Sequence, residues 1–316
     1  DTLINNYKSN NLHTSSIFYG SKGIGKRTFV NKLICEVFKS KLDKNNYSHH
    51  INLFKNNTHP NIKILEKQVD QKSKKLKTYI TIEQIRNLKK FINSSSAIKD
   101  ISKIIIIDCA DDLNVNSANS LLKNLEEPKS NTFFFLISHQ LSSLLPTIRS
   151  RCLKIKLNNH DYTNFKSILE AHIDIIDEDE IKLLYDLTYG SPGDAISFYA
   201  DNIIDLFELT INSLQYNIIN ASNIKLVDLL SKFEDDKFKI YLSILKSILI
   251  TMNKEKNNNF KSNVYISEKY KSIKDISKSL TKNNIIDRFE YLTKNESDLF
   301  TYNLDKKIFM LNFLTC

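Results

Sequence analysis

Gly20-Ser21-Lys22-Gly23-Ile24-Gly25-Lys26 spaces three glycines and two lysines as a phosphate-binding loop does. Such a loop points successive backbone N–H groups at phosphate oxygens from a helix N-terminus. Glycine permits the backbone angles and the close approach, and Lys26 is placed to neutralise the outer phosphates. A second part closes an apolar run: Ile104-Ile105-Ile106-Ile107 leads into Asp108, a carboxylate able to hold a divalent cation directly or through water. Two positions break the pattern. Arg27 stands where the loop would offer Mg²⁺ a Ser or Thr, and Thr28 is one residue late, about 100° away around a helix. Cys109 stands where a Glu would polarise an attacking water. A thiol is uncharged near neutral pH, and a buried Cys usually behaves as a small hydrophobe.

A third part is Arg151, in Thr147-Ile148-Arg149-Ser150-Arg151-Cys152. An Arg presented at a subunit edge can stabilise transition-state charge on a neighbour's nucleotide. The plainer alternative is a surface Arg paired locally. Together these residues predict a weak or vestigial phosphate site, Gly20, Gly23, Gly25, Lys26, Thr28 and Asp108, without its own hydrolytic groups. ATP or ADP binding there is weak at most, and Arg151 is the candidate for chemistry in trans.

The remaining polar groups carry less. Asp111 and Asp112 could supply charge, but they fall past the strand end and read better as helix N-terminal charge. Ser138-His139-Gln140 either senses a phosphate or makes a strand-end turn. His49, His50, His59 and Cys35 do not match a zinc spacing, so no zinc or other metal site is expected. No Ser/His/Asp set or paired-carboxylate site stands out.

The elements that would position these residues are legible in outline. Ser16 to Tyr19 reads as a short buried strand, followed by the glycine loop and a helix from about Lys26 to Phe38 with Phe29, Val30, Leu33, Ile34 and Val37 on its apolar face. Residues 41–60 read as polar and irregular. Asn61 to Leu65 alternates as a strand, and Lys72 to Lys77 reads as a solvated hairpin tip. Thr81 with Gln84 fits a capping box for a helix carrying Ile82, Ile85, Leu88 and Phe91. Ile104 to Ile107 is apolar on both faces, as in an interior parallel strand. A helix from about Ser117 to Glu127 stops at Pro128, and Thr132 to Ile137 is the next strand. Lys154 and Lys156 alternate along a further strand. The alternation predicts an α/β doubly wound parallel sheet. From about Asn159 the pattern is helical, broken at Gly190-Ser191-Pro192-Gly193 and at a polar linker over Asn257 to Asn263, and it ends in Leu304 to Leu314.

Composition sets the bounds. The 316 residues are 41% hydrophobic and 26% charged, enough for two or three domains and ordinary for a soluble protein. No apolar run approaches the roughly 20 residues needed to cross a bilayer. Cys35, Cys109, Cys152 and Cys316 are scattered without pairing logic, which fits a reducing cytoplasm. The chain begins at Asp1 rather than Met, so an N-terminal segment is expected to precede it. A net charge of +9 favours polyanionic partners, although a Lys-, Asn- and Ile-rich composition also follows from an AT-rich genome. Residues 161–200 reverse the charge, with Asp161, Glu170, Asp174, Asp177, Glu178, Asp179, Glu180, Asp186 and Asp194 against Lys166 and Lys182, which puts a boundary near residue 158.

Four segments together resemble clamp-loader AAA+ proteins: Phe18 to Lys26, Asp108 to Asn114, Ala118-Asn119-Ser120-Leu121-Leu122-Lys123-Asn124-Leu125-Glu126-Glu127-Pro128, and Leu145 to Cys152. They are most like the δ′ branch of bacterial DNA polymerase III. The likeness is strong over residues 13–157, weaker at Gly190 to Ala195 and faint at Asn303-Leu304-Asp305. It implies an AAA+ P-loop module over 1–157, a small helical lid over 158–205 and an all-α collar for oligomerisation over 206–316. It also implies a cytoplasmic five-subunit loader that opens a sliding clamp and sets it on primer-template DNA. The partners would be γ/τ motor subunits, the δ subunit and the β clamp. By this resemblance the chain is the non-hydrolysing member, and Arg151 reaches the ATP of the adjacent motor. Motor subunits carry a four-Cys zinc module, Asp-Glu after the second strand and a sensing Arg in the lid. This chain has none of those Cys between Cys35 and Cys109, Asp108-Cys109 at the strand and Gly193 in the lid. An ATP-hydrolysing motor and a general basic DNA-binding protein are the alternatives.

Overall fold

Four successive isoleucines cannot all hide on one side of a strand, so a sheet covered on both faces must surround them. The computed structural model describes residues 2–9, 11–70, 74, 76–94, 96, 98, 101–202, 204–214, 221–257 and 267–316. It divides into two compact units, Asp1–Asn159 and His160–Cys316.

The first unit runs α1 (Thr2–Lys8), β1 (Ser15–Tyr19), α2 (Lys26–Lys41), α3 (Lys44–Lys55), β2 (Ile62–Leu65), α4 (Ile82–Asn93), β3 (Lys103–Asp108), α5 (Val115–Glu126), β4 (Thr132–Ser138), α6 (Pro146–Arg151) and β5 (Leu153–Lys156). All strand pairings are parallel, in the order β2-β3-β4-β1-β5. Strand alternation splits the apolar side chains between two cores. Ile17, Ile105, Ile107, Phe134 and Leu136 pack with residues of α4, α5 and α6. Phe18, Ile104, Ile106, Phe135 and Ile137 face the other way, onto α1, α2 and α3. Each fully buried Ile or Phe contributes about 1.5–3 kcal/mol relative to exposure. Helices on both faces make this a doubly wound α/β arrangement.

Local signals explain most of these elements. Thr81 and Gln84 form the full capping box at the start of α4, and Ile85, Leu88 and Ile92 bury its inner face. The edge strands β2 and β5 are four residues long each, with Lys63, Lys154 and Lys156 exposed on them. The expectation of irregular chain over residues 41–60 is wrong. Asp43 caps Asn46 N–H at 2.8 Å and opens α3, which lays Tyr47, Ile51 and Phe54 against the core. Asn and His between those positions have low helix propensity and obscure the spacing, but packing overrides propensity. A bridge between Val69 and Leu76 brackets the basic stretch read as a hairpin tip. Residues 72, 73 and 75 of that stretch lie outside the described residues, as do 258–263 of the polar linker.

The elements among the described residues of the second unit are all helices: α7 (Tyr162–Glu170), α8 (Glu178–Thr188), α9 (Pro192–Ala200), α10 (Ile204–Leu214), α11 (Ala221–Ser231), α12 (Asp235–Lys256), α13 (Glu268–Ser279), α14 (Lys282–Thr301) and α15 (Lys306–Thr315). The break expected at Gly190 lies between α8 and α9, where Gly190 has φ +74° and an added Cβ would sit 2.4 Å from the His160 carbonyl oxygen. A single hydrophobic core runs from Phe165 to Leu314. Arg288 is fully buried in it and donates to the carbonyls of Leu214 and Leu314, both at 3.1 Å. It thereby ties α14 to the C-terminal turns of α10 and α15.

Candidate functional site

The glycine loop connects β1 to α2, so it lies at the carboxyl end of the sheet, beside the end of β3. Gly23 and Gly25 have φ of +74° and +85°, a region that favours glycine, and Gly25 is the N-cap of α2. Gly20 is required by space: an added Cβ would lie 2.2 Å from the Leu157 carbonyl oxygen. Lys26 is buried, and its ammonium donates to the carbonyls of Gly20 at 2.8 Å and Ser21 at 2.6 Å. The loop lysine thus closes the loop upon itself.

Asp108 is where a P-loop ATPase would hold Mg²⁺, and here it holds Arg27. The guanidinium NH1 lies 2.9 Å from Asp108 Oδ2, and Arg27 Nε donates to Asn31 Oδ1 at 3.0 Å. The residue that replaces the metal-binding Ser or Thr therefore pairs with the carboxylate that would share the metal. These residues do not fit a magnesium ion: one ligand is a cation, and the other is neutralised by it. Thr28 is exposed on α2 and makes no hydrogen bond to Asp108 or the loop.

Cys109 and Asp111 are also not what a hydrolase needs. Burial, then the hydrogen bond to Asp111, pushes the Cys109 thiol up to about 12, so it stays protonated. Asp111 and Asp112 lie in the first turn of a short 3₁₀ helix, Ala110–Asp112, but do not cap α5, where Asn114 accepts from Ser117 N–H. Instead Asp111 Oδ1 accepts from Ser138 Oγ at 3.0 Å, Gln140 N–H at 3.3 Å and Ser143 Oγ, while Oδ2 accepts from His139 N–H at 2.7 Å and Cys109 Sγ. Burial alone would raise its carboxyl, but the bonds from Cys109, Ser143, His139 and Ser138 hold it at about 2. Asp111 clasps the turn after β4 to the end of β3, and Ser138-His139-Gln140 forms that turn. Asp112 pairs with Lys67 at 3.1 Å. Cys109, Asp111 and His139 also bring potential ligand atoms within 4.8 Å of one another, a grouping that sequence spacing gave no sign of. Hydrogen-bond donors already surround Asp111, which makes the trio a hydrogen-bonded clasp.

Arg151 lies apart from the loop, at the end of α6. Its NH2 meets Glu126 Oε1 at 2.6 Å, and its NH1 donates to the Thr147 carbonyl at 2.9 Å. Both side chains of the pair are partly exposed, 34% and 45%. The local pairing considered as the plainer alternative is therefore present, and its partner comes from the Leu-Glu-Glu-Pro segment. Nothing in the sequence links Glu126 to Arg151, because the two are 25 positions apart.

Several other sequence features have plain places. The four cysteines are free thiols. His59 is buried, stacks on Phe38 at 4.9 Å between ring centroids and accepts from Asn61 N–H through Nδ1. Among the described residues no helix is long and apolar enough to cross a membrane.

The family model described as DNA polymerase III, delta subunit, matches residues 1–161. The chain is 35% identical over 142 residues to the DNA polymerase III subunit delta′ of Pseudomonas aeruginosa, across 44% of this chain and 41% of that protein. It is 30% identical over 243 residues to the DNA polymerase III subunit gamma of Buchnera aphidicola, across 69% of this chain and 66% of that one. With the delta′ subunit of Haemophilus influenzae it shares 24% identity over 237 residues, 75% of this chain and 71% of that one. The first of these matches thus spans less than half of the relative's length. Among solved structures, a gamma-subunit-related protein of Thermotoga maritima aligns over 99% of this chain and 97% of its own, with a TM-score of 0.46 and 17% identity.

Proposed function

The chain belongs to the DNA polymerase III delta subunit family, and from that membership we propose that it is a δ′-type clamp-loader subunit that does not hydrolyse ATP itself. In this reading it works in the cytoplasm with γ/τ motor subunits and the δ subunit to place the β clamp on primer-template DNA. Residues 158–205 act as the lid and 206–316 as the collar that holds the assembly. Gly20, Gly23, Gly25, Lys26 and Asp108 form a weak or vestigial phosphate site for ATP or ADP. Arg151 completes the ATP site of the adjacent motor.

The observation that carries this reading is the Arg27–Asp108 ion pair, which puts a side chain's charge where a motor needs a metal. A protonated Cys109 beside it cannot activate water. The test is Arg151→Ala in the reconstituted loader, with DNA- and clamp-stimulated ATPase as the readout. Removal of an arginine finger costs roughly 10³–10⁵ in rate, so a fall of that order in the adjacent site is expected. Unchanged turnover removes Arg151 from the reading.

Similarity to gamma subunits keeps a second reading in view, an ATP-hydrolysing motor in which Thr28 or Asp111 replaces the missing groups. Exposure of Thr28 and the donors surrounding Asp111 disfavour it. ATP turnover by the purified chain, abolished by Lys26→Ala, would establish that motor. A general DNA-binding protein driven by the +9 charge would instead bind DNA alone, with a steep salt dependence.

A further inference from the structure

The Arg27–Asp108 pair carries a consequence for the phosphate site itself. In a P-loop nucleotide site the cation bridges the strand-end carboxylate and the phosphate oxygens, and the loop's Ser or Thr completes its shell. Arg27 NH1 already lies 2.9 Å from the Asp108 carboxylate, and Nε is fixed by Asn31 at 3.0 Å. A guanidinium has five N–H donors in a planar fork. Two are committed to these partners, and the other three, one on NH1 and both on NH2, make no hydrogen bond to the described residues. The pair is about three-quarters covered, with side-chain exposures of 28% and 26%, so it is both held in place and open on one side. Lys26 lies at the same loop, one position before Arg27.

We propose that the Arg27–Asp108 pair takes the place of the divalent cation, so that this loop holds the phosphate chain of a nucleoside diphosphate without a metal ion. The guanidinium repeats the cation's bridge: one edge on the carboxylate, the remaining donors toward phosphate oxygens, a geometry in which arginine excels. A magnesium ion brought to Asp108 would meet a fixed positive charge at hydrogen-bond distance and find its carboxylate taken. Phosphate affinity therefore comes from Lys26, Arg27 and the loop N–H groups alone. It is insensitive to magnesium, where a motor subunit's site depends on it. The inference rests on the weak phosphate site of the proposed function, but not on Arg151 or on turnover in the loader.

The test titrates ADP into the full chain by calorimetry, once in millimolar magnesium and once in excess EDTA. The wild-type chain is expected to bind ADP equally in both media. Arg27→Thr, which restores the metal-binding hydroxyl and frees Asp108, is expected to bind at least about tenfold more tightly in magnesium than in EDTA, a difference of about 1.4 kcal/mol. Arg27→Gln, which removes the guanidinium without supplying a hydroxyl, should bind ADP at least about tenfold more weakly than wild type in EDTA, and it covers the case in which the Thr variant does not fold. Three results overturn the proposal: wild-type binding that requires magnesium, wild-type binding in neither medium, or undiminished affinity in EDTA in an Arg27→Gln chain that stays folded by circular dichroism. None of these bears on Arg151, whose failure would appear only in the loader ATPase, so the two ideas fail separately.

Discussion

Asp111→Asn is the sharpest probe of the clasp behind the phosphate loop. Each Asp111 oxygen faces one backbone N–H, Gln140 on Oδ1 and His139 on Oδ2, besides the hydroxyl and thiol donors. Serine and cysteine donors can rotate away from a new partner, but a backbone N–H cannot. Whichever way the Asn amide turns, its NH₂ confronts one of those two N–H groups. The variant loses a charge-assisted bond and leaves a donor unpaired, together about 2–4 kcal/mol. A second figure comes from titration. The carboxyl lies at about 2 instead of the ordinary 3.8. At 1.36 kcal/mol per pH unit this corresponds to about 2.5 kcal/mol. Because the folded value is depressed, that stability is complete above the unfolded value and is lost as pH falls toward 2. Urea unfolding at pH 7, 4 and 2 measures both. The Asn variant should be less stable by about 2–3 kcal/mol at pH 7, with the gap closing as the wild type is acidified. A variant within about 0.5 kcal/mol of wild type at pH 7, or a gap indifferent to acid, would refute the reasoning.

Burial first, then the neighbouring His50 and His49, lowers His59 to about 4 from 6.5. Its neutral form is the folded one, so the first unit should lose up to about 3 kcal/mol as pH falls from 6.5 to 4; a urea midpoint that does not move between pH 7 and 5, or one that moves equally in His59→Gln, contradicts this. Arg288→Met removes both bonds to the C-terminal carbonyls of α10 and α15. Leaving those buried carbonyls without a donor should lower the second unit's stability by about 2–4 kcal/mol, read as a fall in melting temperature, and a melting temperature within a degree of wild type would show the tie to be dispensable.

The sheet and its helices were readable because each signal was local. Four isoleucines before Asp108, the capping box at Thr81 and Gln84, and the glycines at positive φ all act within a few residues of themselves. The breaks in the site were readable too, since Arg27 and Cys109 are departures at known positions. What those departures do was not. Arg27 finds Asp108 across 81 positions, and Asp111 finds the turn after β4 across nearly thirty; only the parallel crossovers of the sheet bring them together. α3 was hidden by asparagine and histidine around a correct apolar spacing. Arg288 gives no hint of burial in sequence, where an arginine on an amphipathic helix reads as solvated.

The margins of the sheet set a limit on what this chain can build with itself. β2 and β5 are short, and Lys63, Lys154 and Lys156 project from them into solvent. A second copy laying a strand along either margin would have to bring ammonium groups against its own. Self-templated growth of the sheet is thereby penalised.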